Sequence, residues 1–223
     1  MSETELLDCI EIGPEAATSS VIWLHGLGAD GHDFEPIPPM LGLPDTRFIL
    51  PHAERRPVTI NNGFVMRAWY DILSLSFEGV RESESDIRRS QAQIEALLER
   101  ERGRGVASER IVLVGFSQGG AMALHTGLRY RETLGGIAVL SAYMLMGDTL
   151  EAEQSEANRK TPMLFCHGRQ DPMVPVFMGK SAYEQVKAGS SEREIAWYDY
   201  PMGHAVCPEE LAEIARFLHG CLG

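Results

Sequence analysis

The residues of this chain best placed to do chemistry are a serine, an aspartate and a histidine far apart in sequence. Gly115-Phe116-Ser117-Gln118-Gly119 fits G-x-S-x-G, the spacing of a nucleophile elbow. A serine hydroxyl is a poor nucleophile near neutral pH. It needs a base within hydrogen-bond reach and a third group to fix that base's tautomer. The pattern is weak alone, so its context decides. Residues 111–114 are an unbroken apolar, β-branched run, which predicts a strand buried on both faces. Residues 120–129 read as a helix with a small, apolar start. A serine at the sharp corner between the two is pushed up and out of the sheet, and the glycines at 115 and 119 leave room for close helix–strand packing.

Where an elbow serine sits on such a sheet, the acid follows it in the chain and the histidine comes last. The histidines after Ser117 are 125, 167, 204 and 219. His125 and His219 fall in predicted helices. His167 ends a strand but precedes the best acid candidate. His204 follows the last predicted strand, in Pro201-Met202-Gly203-His204, and is the expected base. Asp171, just past the strand at 162–167 and followed by Pro172, is the expected acid. Asp148 is the alternative, and an Asx turn is the plain structural role for Asp171. Asp199 lies inside the last strand and is expected to face elsewhere.

Acyl chemistry at Ser117 also needs two N–H donors for the oxyanion. The amide of Gln118, at a helix N-terminus, is one. The loop His25-Gly26-Leu27-Gly28 is placed to supply the other. The same loop has neither G-x-G-x-x-G nor G-K-[ST] spacing, which argues against phosphate binding. His25 and His167 both end strands, but no metal-ligand spacing accompanies them, so no metal site is expected.

The elements that must position these groups follow a regular alternation. Strands are predicted at 20–25, 47–50, 111–114, 136–141, 162–167 and 194–200. Helices are predicted at 83–102, 120–129, 177–188 and 208–218, with a short proline-interrupted one at 33–41 and a surface excursion containing another at 145–160. Ser83 with Asp86 resembles a capping box, and Gly220 is expected to close the last helix. No repeat or linker interrupts the alternation, so the fold expected is one open, mainly parallel twisted sheet with helices on both faces. In such sheets the chemistry gathers beyond the carboxyl ends of the strands. The suspicious residues all sit at such ends. The irregular part is 51–80, where Phe64, Met66, Trp69, Tyr70, Ile72, Leu73, Leu75 and Phe77 crowd together without a clean period. It reads either as a hairpin over a core edge or as a lid or pocket wall for an apolar substrate.

The chain has 223 residues and a net charge of −12, with no basic cluster longer than a pair. That suits one domain spanning 1–223 and disfavours nucleic acid. Four cysteines at 9, 166, 207 and 221 form no C-x-x-C pair. Free thiols and a cytoplasmic location are therefore expected. No signal peptide opens the chain and no apolar run is long enough for a membrane span.

Taken together, Leu24-His25-Gly26-Leu27-Gly28-Ala29-Asp30, Arg67-Ala68-Trp69-Tyr70-Asp71, the elbow, His167-Gly168-Arg169-Gln170-Asp171-Pro172-Met173-Val174-Pro175 and Gly203-His204 resemble the phospholipase/carboxylesterase family of α/β hydrolases. That family includes bacterial carboxylesterases and acyl-protein thioesterases, and the bacterial branch looks nearest. The resemblance implies the α/β-hydrolase fold, no cofactor, Ser117, Asp171 and His204 as a triad, and the amides of Leu27 and Gln118 as the oxyanion hole. It implies an apolar groove for the acyl chain, with Trp69, Leu73, Leu75 and Val174 carried over as substrate-binding residues.

The function expected is a serine carboxylesterase acting on short- to medium-chain, small-molecule or lipid-like esters. The alternative is an acyl-protein thioesterase or lysophospholipase for long acyl chains. From another class, a catalytically silent α/β-hydrolase-fold binding protein remains open, as does a homodimer formed through an exposed apolar patch.

Overall fold

The apolar run at 111–114 becomes the middle of a seven-stranded sheet. The computed structural model describes residues 6–76 and 79–223, with the side chains at 75, 76 and 79 outside that description. In chain order, β1 is Cys9–Ile12, β2 Ser19–Leu24 and β3 Thr46–Pro51. Two hairpins follow, β4 Arg55–Val58 with β5 Phe64–Arg67, and β6 Ile72–Ser76 with β7 Gly79–Glu82. Then come α1 Glu84–Gly103, β8 Ile111–Phe116, α2 Gln118–Arg129 and β9 Gly136–Leu140. The chain finishes with α3 Leu150–Glu153, β10 Met163–Gly168, α4 Val176–Ala188, β11 Ile195–Tyr200 and α5 Pro208–Leu222.

The sheet runs β1-β3-β2-β8-β9-β10-β11, parallel throughout except for the antiparallel β1–β3 pair. Alternate residues of the central strands feed two cores. Ile22, Leu24, Leu113, Val139 and Phe165 pack under α1 and α2 on one face. Val21, Trp23, Val112, Val114, Leu140 and Leu164 pack against Ile214 and Leu218 of α5 on the other. Helices cover both sides, so neither face can be polar and the strands read as continuous apolar runs.

Three local expectations need correction. The stretch at 33–41 forms two separate 3-10 turns, Gly31–Phe34 and Pro38–Met40, because three prolines deny it the donors a helix needs. Gly220 does not close α5. The helix runs on to Leu222, where Leu218 and Leu222 both bury, and Arg110 Nη2 donates to the Leu222 carbonyl at 2.6 Å. Ser83 caps α1 by accepting from the Asp86 N–H at 3.4 Å, but Asp86 does not reciprocate. Its carboxylate accepts from the Asp71 N–H and pairs with Arg56 at 2.6 Å, tying the first hairpin and the residue before β6 to α1. Strand β1 was not expected, since a four-residue, half-buried edge strand carries little signal. Among the described residues no helix is long and apolar enough to cross a membrane.

Candidate active site

Ser117 sits between β8 and α2 with φ 56° and ψ −123°, a conformation that L-residues rarely adopt. Its N–H donates to the Leu140 carbonyl at 2.8 Å and its carbonyl accepts from Ala121 N–H at 3.0 Å, so both sides of the turn are held. The turn is tight enough to exclude side chains around it. A Cβ on Gly115 would stand 2.2 Å from the Gly119 carbonyl oxygen, and one on Gly119 would stand 2.4 Å from that of Leu24. The strained backbone leaves the Ser117 hydroxyl standing clear of the sheet in a cleft of about 710 Å³.

The other two side chains arrive on adjacent loops. β10 and β11 are parallel neighbours, so the segments leaving their carboxyl ends emerge side by side. Arg169 N–H donates to the Tyr200 carbonyl at 2.8 Å and Gln170 N–H to that of Met202 at 3.0 Å. Gly168 makes this approach feasible, since a Cβ there would lie 2.2 Å from the Gly203 carbonyl oxygen. The loops deliver Asp171 and His204 to each other with His204 Nδ1 2.6 Å from Asp171 Oδ2. His204 Nε2 lies 2.8 Å from Ser117 Oγ. The Asp171 side chain is fully buried, and its second oxygen accepts from the Met173 and Val174 N–H groups, both at 2.8 Å. A carboxylate accepts only, so Nδ1 carries the His204 proton and Nε2 is left free to receive one from the serine. The Phe116 ring lies against the imidazole, centroids 4.7 Å apart.

Leu27 and Gln118 both line the cleft beside Ser117. Among the described residues neither backbone N–H has a protein acceptor. The loop that carries Leu27 is held from below. His25 is buried, its Nδ1–H donates to the Gly26 carbonyl at 2.7 Å, and its Nε2 accepts from Ala53 N–H at 3.0 Å. Burial pulls its pKa down to about 4, so it is neutral and its tautomer is fixed. His167 is also buried, with its pKa lowered by that burial, and its Nε2 is 2.8 Å from the Val174 carbonyl. The two strand-end histidines therefore brace the loops that carry Leu27 and Asp171. Among the described residues no group of three or more His, Cys, Asp or Glu is placed to hold a metal ion.

The alternative acid, Asp148, lines a separate cavity that Ser117 and His204 do not border. Asp199 faces away and pairs with Arg169 at 2.9 Å. His125 bonds Gln91 at 3.0 Å from within α2, and His219 bonds the Leu41 carbonyl at 3.0 Å.

Of the residues expected to bind substrate, Val174 lines the cleft. Trp69 and Leu73 do not, and this corrects the reading of 69–75. Trp69 is wholly buried beneath the cleft, with its Nε1–H donating to the His25 carbonyl at 2.9 Å. Leu73 points outward and is exposed. Alternation along β6 turns Ile72 to the cleft and Leu73 away, and Tyr70, in the bend before β6, also borders the cleft. The side chain of Leu75 lies outside the described residues, as does Phe77.

Sequence reasoning missed one contact at the site. The Gln118 side chain grips the backbone of 69–70, accepting from Trp69 N–H and donating to the Tyr70 carbonyl, both at 2.7 Å. Nothing in the elbow pattern marks that glutamine's side chain, since the position is open in G-x-S-x-G.

The sequence profile of the family described as phospholipase/carboxylesterase matches residues 7–222. The chain belongs to that family. It is a serine hydrolase and an ester hydrolase with the α/β-hydrolase fold. It is 40% identical over 212 residues to an acyl-protein thioesterase 1 of Gibberella zeae, covering 90% of this chain and 89% of that one. Among solved structures it is similar to SOBER1 of Arabidopsis thaliana, at a TM-score of 0.85 and 32% identity, over 92% of this chain and 99% of that one. It is also similar to acyl-protein thioesterase 2 of Zea mays, at a TM-score of 0.86 and 27% identity, over 97% and 99% of the two chains.

Proposed function

We propose that this serine hydrolase is a cytoplasmic carboxylesterase, one domain over 1–223, that cleaves short- to medium-chain carboxylic esters through an acyl-enzyme on Ser117. The observation that carries the reading is the continuous hydrogen-bonded line from Ser117 Oγ through His204 to Asp171, at 2.8 and 2.6 Å. His204 Nε2 takes the Ser117 proton as Oγ bonds to the ester carbonyl carbon. Negative charge gathers on the carbonyl oxygen, where the N–H groups of Leu27 and Gln118 receive it. The tetrahedral intermediate collapses, the C–O bond to the alcohol breaks, and the imidazolium gives its proton to the departing oxygen. Water, deprotonated by the same Nε2, then attacks the acyl carbon, and the acid leaves as Ser117 recovers its proton. Val174, with Tyr70 and Ile72 across the cleft, forms the wall against which the acyl chain lies. Residues 51–80 supply that wall rather than a separate domain.

The test is hydrolysis of p-nitrophenyl esters and labelling by a fluorophosphonate probe. Ser117→Ala is expected to lose both while its circular dichroism stays native. Labelling that persists in the variant refutes the assignment, and a wild-type protein that takes no label is a binding protein instead.

A second reading has its own support. The 40%-identical relative is named acyl-protein thioesterase 1, and a cleft of this size, lined largely by apolar side chains, suits a long acyl chain. Matched esters and thioesters of increasing acyl length separate the two: a rate optimum at the long thioesters selects the thioesterase. The same protein run through size exclusion at two concentrations tests the homodimer.

A further inference from the structure

The inner wall of the cleft is not uniformly apolar. Tyr143 lines it, and its hydroxyl lies 3.0 Å from the hydroxyl of Tyr70, which borders the same cleft. Glu82 lies on the far side of this wall, where it and Tyr143 border the same space. Around this polar line are Ile72, Val80 and Met178. A second cavity of about 450 Å³ shares the wall, since Val80, Tyr143 and Met178 border both. That second cavity is faced by Arg81, Glu82, Glu84, Asp148 and Thr149. Tyr143 is therefore a partition with apolar space on one side and a polar chamber on the other.

A buried phenol hydroxyl without a partner is destabilising, and a phenylalanine would close the wall without that risk. The two hydroxyls bond each other across 3.0 Å, and either can be the donor. A phenol oxygen both donates and accepts, so the pair keeps hydrogen-bonding capacity beyond that one bond. An alkyl chain gains nothing from it, whereas a hydroxyl placed against Tyr143 gains a hydrogen bond within a largely apolar cleft. The cluster is anchored on the oxyanion side of Ser117, because the Tyr70 carbonyl accepts from the Gln118 side chain. The leaving alcohol must instead lie next to His204, so the group that reaches Tyr143 is the acyl chain.

The geometry points to Tyr143, held by Tyr70, as the residue that reads the far end of the acyl group. On the esterase reading above, the cleft takes a medium-length acyl chain ending in a hydrogen-bonding group, such as a hydroxyl, in preference to a plain alkyl chain of the same length.

The experiment compares p-nitrophenyl esters from butanoyl to decanoyl with their ω-hydroxy counterparts, and reads the hydroxyacyl-to-alkyl ratio of kcat/KM at each length. The wild type is expected to show a ratio of about tenfold or more at one chain length. In Tyr143→Phe, which keeps the ring and so the wall, that ratio collapses to about one. A ratio at or below one at every length in the wild type overturns the proposal without any variant, and so does a ratio that Tyr143→Phe leaves unchanged. Fluorophosphonate labelling of Ser117 and hydrolysis of p-nitrophenyl acetate do not involve the far end of the chain. Their absence sinks the esterase reading itself; their presence with a flat ratio sinks only the role of Tyr143.

Discussion

The side-chain amide of Gln118 is clamped to the backbone of residues 69 and 70, with Trp69 N–H and the Tyr70 carbonyl each 2.7 Å from it. The residue that offers its backbone N–H to the cleft thus also fixes the segment that walls it. Gln118→Ala keeps the backbone donor but strips a buried N–H and a buried carbonyl of their partners. Each orphan costs about 1–3 kcal/mol. The variant is expected to lose roughly 3 kcal/mol in urea unfolding and about tenfold in kcat/KM. An unchanged midpoint would mean that the clamp contributes nothing to the fold.

Ser117 holds its positive φ against the preference of any residue with a Cβ. Ala and Gly at 117 both remove the hydroxyl, yet only glycine relieves the strain. Strain of this kind is on the order of 1–3 kcal/mol, partly offset by the greater chain entropy of glycine when unfolded. Ser117→Gly is therefore expected to melt above Ser117→Ala, by about 1 kcal/mol at equal denaturant. The reverse order would mean that the elbow is not strained.

Asp171 accepts from His204 through one oxygen and from two backbone N–H groups through the other. Asp171→Asn cannot hold the proton on Nδ1 in the same way, because the amide presents a donor as readily as an acceptor. The expected loss in kcat is about 10³–10⁴-fold. KM should move little, which stopped-flow kinetics with a fixed ester would read.

Glu210 carries a pH signature of its own. It is fully buried in α5, both carboxylate oxygens lack partners among the described residues, and burial pushes its pKa up to about 8. Between about pH 4.5 and 8 the folded protein holds a proton that the unfolded chain gives up, so its contribution to stability is full below that window and lost as pH rises through it. His25 works the other way. Its folded pKa is depressed to about 4, so its share is present above about pH 6.5 and lost as pH falls toward 4. Glu210→Gln removes only the first effect. The stability gap between variant and wild type is expected to widen by roughly 3 kcal/mol from pH 5 to pH 8, measured by urea unfolding. A gap independent of pH would place the proton elsewhere.

The central strands were legible because both faces are covered, and Ile111-Val112-Leu113-Val114 has no polar member to blur it. The positions of Ser117, Asp171 and His204 were legible because sheet topology puts strand ends together whatever the loops contain. The cleft wall was not. Trp69 and Tyr70 are adjacent and equally buried, and only the twist of the chain into β6 decides that the tyrosine faces the cleft and the tryptophan supports it. The Tyr70–Tyr143 contact joins residues 73 positions apart, and no local pattern encodes such a pair.

The pairing of β2 with β8 bears on how the polypeptide emerges during synthesis. Ser20 pairs with Ile111, so the second strand of the sheet waits for its partner until about ninety residues later have been made. In that interval β2, apolar from Val21 to Leu24, has only β3 beside it, and its other edge stays open to any neighbouring chain. Order so dependent on distant segments forms slowly, and it places the risk of aggregation before release from the ribosome rather than after.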